Sequence, residues 1–489
     1  MTKVMERKKK EEWRLLLPYI LIVASCAVVG FVYALIADRS NMWTMTSWLD
    51  FGRFQTPLYL FLLVGFTVSF IAPLRIANNQ PQSREEVWDR GIMLLWAMGY
   101  ANLLVGFFHT FWGTTIFFLL GIFIHWGREI AQRKRPAFSP RLVIIATLLY
   151  VLYEALTLLW NNIPGMSGNY FRRELWLAIV PIAVFCYPPH REVVRGFMEY
   201  AMRITILYLS AVVLLYLWLC TASGIPITSC FALTKSYLLL PWRYSFPVTL
   251  LSLFGWQHYT YLSFIFTVPF LYHAVRARLI SYQGIVLCLY YLLMLSFSII
   301  LQSRIYLLFI GVLGVILLVK SLTHISIQRV VAIGLITAAV GVTALLIISP
   351  NLLEYFTDSH RLELLRIGAN YIGEHPWKGF GLGSSASLIY PFKQGYNAGH
   401  FHNQWMQSYL EGGLLSMLFI TFVPASFYAV AIRRRLGDLL LAMLFFTLIL
   451  LIELVFIFPE YLIGMMLMLC FLVESNTNVN NQHYNTKWL

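Results

Sequence analysis

The sequence predicts an all-α polytopic membrane protein, with about 12–14 transmembrane helices and a large, partly helical outer loop before the last three spans. Composition is the first observation. Of 489 residues, 59% are hydrophobic and 12% charged, against roughly a quarter charged in soluble domains. The second is a succession of apolar runs of about 17–22 residues, the length that crosses a hydrocarbon core as helix. In lipid every backbone amide needs a partner within its own segment, which excludes open sheets. The two-residue alternation of a membrane β-barrel is absent from the runs.

In chain order, candidate spans cover 15–36, 57–74, 91–108, 110–126, 142–160, 174–188, 204–222, 259–275, 282–301, 305–319, 330–348, 413–432, 438–457 and 461–474. The basic opening MTKVMERKKKEEWR leads into the first run without a small-residue cleavage site, so it reads as a retained cytoplasmic anchor. With the amino terminus in the cytoplasm, alternate loops carry the basic residues inside: Arg75, Arg84 and Arg90; Arg128 with Arg133 and Arg135; Arg191 and Arg195. The same holds for Arg276 and Arg278, for Lys320 and Arg329, and for Arg433 to Arg435, as the positive-inside rule requires. The net charge of +14 is thus accounted for by topology, and no nucleic-acid partner is expected. Six scattered cysteines without a CxxC support neither a zinc site nor a redox motif. Cys220 and Cys230 lie near one outer loop, where pairing stays open.

The organisation that follows is spans and short loops over 1–348, an outer loop over 349–412, the last three spans over 413–474 and a cytoplasmic tail over 475–489. Within the first region, 223–258 is a longer outer segment that stays hydrophobic. Connections of this length are uncommon unless they fold or function.

The chemistry concentrates between Ser359 and Gly413, a polar island rich in arginine, histidine and glycine. Asp358 and Ser359 are helix-cap candidates before a helix from about His360 to Gly373, with Pro376 as its stop. Leu362, Leu365, Ala369 and Ile372 supply its expected apolar side. Arg361 and Arg366 stand about 140° apart around that helix, so they need not serve one site. The glycines of WKGFGLGSS lack the strand and helix of a nucleotide fingerprint, and they read as a flexible turn that brings the chain close to the membrane.

His400 and His402 follow, with His402 at the mouth of a helix if one starts near Asn403. A histidine there suits a general base, a structural hydrogen bond or one of two metal ligands, and the spacing alone leaves all three open. Elsewhere, Ser303–Arg304 breaks the apolar run 282–319, and an arginine at that depth is a functional candidate by default. His258 and Tyr259 form a similar polar entry. Arginines suit diphosphate and a histidine suits deprotonation of a hydroxyl, which together fit transfer from a diphosphate-linked lipid donor.

Several of these features in order resemble the O-antigen ligase superfamily, which also contains O-antigen polymerases and O-linked oligosaccharyltransferases. They are QSR at 302–304, RLELLRIGANYIGEHPWKGFGLG at 361–383, HFHNQWMQSYLEGG at 400–413 and HYTY at 258–261. The resemblance implies a multi-pass enzyme of a bacterial inner membrane, working at the periplasmic face on an undecaprenyl-diphosphate-linked glycan. A ligase moves that glycan to lipid A–core, with inversion and with neither metal nor cofactor. Carried over by motif, Arg304 and Arg361 bind the diphosphate and His402 activates the acceptor hydroxyl. Arg366, His400, Asn403, Glu411, His258 and Tyr259 are secondary substrate-binding candidates. A polymerase that extends glycan on the carrier is the alternative reading. A lipid-glycan flippase is a third, and predicts charged residues deep in several spans.

Overall fold

The computed structural model describes residues 84–105, 110–161, 167–222, 259–276, 282–301, 303–323, 325–334, 359–389 and 400–475. The predicted spans 15–36 and 57–74, most of 330–348, the outer segment 223–258 and the tail beyond Ser475 lie outside them, as do His258 and Cys230. Among the described residues the regular elements are helices. They are α1 (Arg84–Val105), α2 (Thr110–Ala131), α3 (Arg141–Thr157), α4 (Ser167–Glu174), α5 (Trp176–Cys186), α6 (Arg191–Ala222) and α7 (Tyr259–Ala274). After these come α8 (Tyr282–Ile300), α9 (Arg304–Leu322), α10 (Ser359–Tyr371), α11 (Ser385–Ile389), α12 (Gln404–Arg433), α13 (Gly437–Ile452) and α14 (Pro459–Glu474). Five of the described segments are long and apolar enough to cross a membrane: Arg141–Trp160, Arg191–Leu214, Gln283–Ile300, Ile305–Leu322 and Gln404–Arg433. The chain is a multi-pass, all-α membrane protein.

Its helices show the sidedness that lipid demands. On α3, Ile145, Leu149, Leu152 and Leu156 are exposed at helical spacing, while Thr147, Tyr150, Glu154 and Thr157 are buried on the opposite side. The apolar stripe is the outward one, and polar groups turn inward where they find partners. α9 repeats the pattern, with Leu308, Val312, Val315, Leu318 and Leu322 exposed.

The helices divide into two units, one of residues 1–121 with 192–310 and the other of 122–191 with 311–489. The first unit contains α1, α7 and α8, and its interior is rich in tyrosine hydroxyls. Pro269 sits inside α7 and offers no N–H to the carbonyl of Ile265, one turn back. Tyr100 donates to that carbonyl at 3.2 Å, and Tyr290 donates to the neighbouring Phe266 carbonyl at 2.6 Å. A membrane helix tolerates proline on such terms, with a neighbour replacing the lost donor.

In the second unit α12 packs on α3 and α13, and α14 packs on α5. α12 starts at Gln404 rather than at 413, and it is two helical pieces joined at Gly413, whose φ of 70° and ψ of −165° are non-helical. α10, α11 and the first piece of α12 enclose a small core of Leu364, Ile367, Ile389, Phe401 and Leu410. This corrects the expected apolar side of α10, because Ala369 is exposed and Ile372 is 39% exposed. The buried side is instead Leu364, Ile367 and Gly368, where a Cβ on Gly368 would lie 3.1 Å from the Met406 sulfur. A glycine permits close approach to α12, and that contact selects the face over leucine periodicity.

Candidate active site

The glycine-rich stretch after α10 does not lie free as a turn toward the membrane. It fills the break in α12. The amides of Phe380 and Gly381 donate to the carbonyls of Leu410 and Glu411, each at 2.8 Å, and the Leu414 amide donates to Pro376 O at 2.8 Å. A helix interrupted at Gly413 leaves carbonyls and amides without helical partners, and buried backbone groups must be paired elsewhere. Residues 376–381 supply those partners. Gly379 (φ 61°), Gly381 (φ 97°) and Gly383 (φ 81°) adopt the left-handed region that such a path requires. Side chains from the end of α3 and the turn after it bind both the loop and the break in α12. Tyr153 donates to Gly412 O at 2.8 Å, Trp160 Nε1 donates to Lys378 O at 2.8 Å, and Asn161 donates to Leu382 O.

Glu411 belongs to this scaffold. It is 2% exposed, and its carboxylate accepts from Ser385 Oγ at 2.7 Å and from the Gln407 amide. Its Oε1 is thus engaged both by the start of α11 and by its own helix.

The turn before α12 carries the histidines. Phe401 is anchored in the small core at 1% exposure. Asn403 caps α12, accepting from the Met406 amide at 2.9 Å, and its side-chain amide donates to Leu451 O at the end of α13, also at 2.9 Å. His402 is held between these two anchors with φ 50°, a left-handed conformation uncommon outside glycine. Strain of this kind costs about 1–3 kcal/mol and persists where surrounding contacts over-determine the backbone. The His400 ring lies against that of His402 with centroids 4.1 Å apart, and its Nδ1 accepts from the His402 amide at 3.3 Å.

His402 Nδ1 stands 3.0 Å from Glu453 Oε2, and Arg361 Nη2 donates to Glu453 Oε1 at 2.6 Å. One carboxylate therefore joins the turn before α12 to the first turn of α10. The Glu453 side chain is 2% exposed, while those of Arg361 and His402 are 30% and 22% exposed. The acid lies beneath, and the imidazole and the guanidinium reach outward. With Nδ1 donating to the carboxylate, Nε2 is the basic nitrogen of the ring. A hydroxyl brought to Nε2 meets a base, and an anion brought to Arg361 meets a guanidinium.

Arg361 shares the inward side of α10 with Leu364, whereas Arg366 is 79% exposed and 3.6 Å from Glu363. Among the remaining candidates, Arg304 opens α9 just after the break that follows α8, and its backbone position lies in the first unit. Tyr259 opens α7 in that unit and is half-buried. Glu453 was not among the residues singled out from sequence. Its signal was a lone carboxylate at the end of an apolar run, LLIELVF, which by burial cost alone is a functional candidate.

Residues 289–421 match the family model described as O-antigen ligase. Arg304, Arg361, His400, His402 and Asn403 fall inside the match, and Glu453 falls outside it. A search of curated proteins returned no match. The chain is therefore similar to the O-antigen ligase family over residues 289–421.

Proposed function

We propose that this protein is an O-antigen ligase, a membrane glycosyltransferase that moves glycan from undecaprenyl diphosphate to a sugar hydroxyl of lipid A–core at the periplasmic face. The observation that carries the reading is the carboxylate-linked pair of base and guanidinium, His402 and Arg361, within the segment similar to the O-antigen ligase family. The acceptor hydroxyl gives its proton to His402 Nε2 as its oxygen attacks the anomeric carbon. The bond from that carbon to the diphosphate oxygen breaks, and the configuration inverts. Negative charge grows on the departing diphosphate, where Arg361 stabilises it. The proton then passes from His402 to water or to the diphosphate. The chemistry draws on the donor bond and asks for neither nucleotide nor metal.

Deleting the gene and examining lipopolysaccharide tests the assignment. Core without O-chain, together with polymeric glycan accumulating on the carrier lipid, is the expected result. Core bearing a single repeat unit instead identifies a polymerase and overturns the ligase reading. Arg366 provides a control for the site. Exposed and adjacent to Glu363, it is expected to tolerate alanine with transfer within about twofold of the parent, since exposed ion pairs contribute ~1 kcal/mol or less. A large loss in a reconstituted transfer assay places Arg366 on the substrate path.

A further inference from the structure

The carboxylate of Glu453 is buried, and each of its oxygens has a different partner from a different element: Arg361 of α10 on Oε1, His402 on Oε2. Asn403 binds the Leu451 carbonyl two residues before Glu453, so the turn bearing His402 and the chain bearing Glu453 are tied together by a second bond. Neither bond is local in sequence. We propose that Glu453 is the positioning residue of the transfer site, one carboxylate that fixes which ring nitrogen of His402 faces the acceptor while holding Arg361 beside the donor diphosphate. The role rests on the reaction proposed above but does not depend on which acceptor is used.

The carboxylate is suited to this in a way no neutral side chain is. It accepts on both oxygens, and both of its partners are donors. A Nδ1–H bond to Oε2 leaves the Nε2 lone pair outward, and the negative charge stabilises the imidazolium once the hydroxyl proton arrives. A carboxamide at this position has a single accepting oxygen. If that oxygen stays with Arg361, the amide N–H₂ faces His402 Nδ1, and the ring must turn to the tautomer protonated on Nε2. The nitrogen facing the acceptor then carries a hydrogen and takes no proton.

Glu453→Gln is expected to lower kcat by about 10³–10⁴-fold, the scale on which a base loses its productive tautomer, with donor KM changed only a few-fold. Glu453→Asp restores at least about tenfold of that loss, because the charge and both accepting oxygens remain. A purely structural glutamate predicts less folded protein but an unchanged kcat per folded molecule, so that result overturns the proposal. ¹⁵N NMR of the parent protein in bilayers, assigned by loss of the signal in His402→Gln, decides independently of whether the Glu453 variants fold. A proton on Nδ1 is expected, and a neutral ring protonated on Nε2 overturns the assignment. Should the parent fail to transfer from a diphosphate-linked donor, the reaction is refuted, while the ring tautomer still reports on Glu453.

Discussion

Replacing His402 by alanine is expected to lower glycan transfer by about 10²–10⁴-fold, the usual contribution of a positioned general base. The protein itself should accumulate in the membrane at close to the parental level. Glu453 loses the imidazole on Oε2 but keeps the Arg361 guanidinium 2.6 Å from Oε1, so no unpaired charge is left in the interior. The loss of stability is therefore about 1.5–3 kcal/mol, that of one hydrogen bond to a charged group. The small core around Phe401 and the Asn403 cap do not involve the ring, and they keep the turn in place. Arg361→Ala differs sharply in this respect. It removes the cation bound to the carboxylate of Glu453, which is 2% exposed, so folding and activity fall together. The comparison is made in proteoliposomes with a lipid-diphosphate glycan donor, normalised to folded protein. Undiminished transfer by His402→Ala removes the proposed base.

The membrane class is legible because it needs only apolar run length and charge placement, both local properties. Local signals also locate α10, expected from about His360 to Gly373 and found at Ser359–Tyr371. They separate Arg361 from Arg366 by helical angle, and they set the break at Ser303–Arg304 between α8 and α9. What the sequence hides is pairing across distance. Arg361 and Glu453 are 92 residues apart, and no spacing rule links them. Glu453 is further masked by lying in an apolar run, where a window average absorbs a single carboxylate. The inward side of α10 is misread for a related reason. Leucine periodicity points to Leu362, Ala369 and Ile372, but the contact with α12 is made at Gly368, a residue that hydropathy scores as nearly neutral. The glycines at 379, 381 and 383 are similarly ambiguous alone. Their use is set by the interrupted helix they meet, and that interruption is a property of Gly413.

Gly413→Ala is accordingly expected to be among the most damaging single substitutions in the second unit. Its φ of 70° and ψ of −165° fall in a region open almost exclusively to glycine. A Cβ there would also sit 2.2 Å from the carbonyl oxygen of Trp377, so backbone must move to admit a methyl group. Strain and clash together amount to about 3 kcal/mol or more. Moving residues 376–381 away from α12 breaks the Phe380–Leu410, Gly381–Glu411 and Leu414–Pro376 bonds, which leaves buried backbone groups unpaired. The turn before the first piece of α12 carries His402, so the base is displaced along with the loop. A melting temperature lowered by several degrees or more, with activity lost in parallel, is the expected result in detergent-solubilised protein. Gly373→Ala is the matched control, because a Cβ there has nothing within 4 Å and should change stability by about 0.5 kcal/mol or less. If Gly413→Ala melts and transfers glycan as the parent does, the junction between the glycine loop and the broken helix is not what holds His402 in register with Glu453.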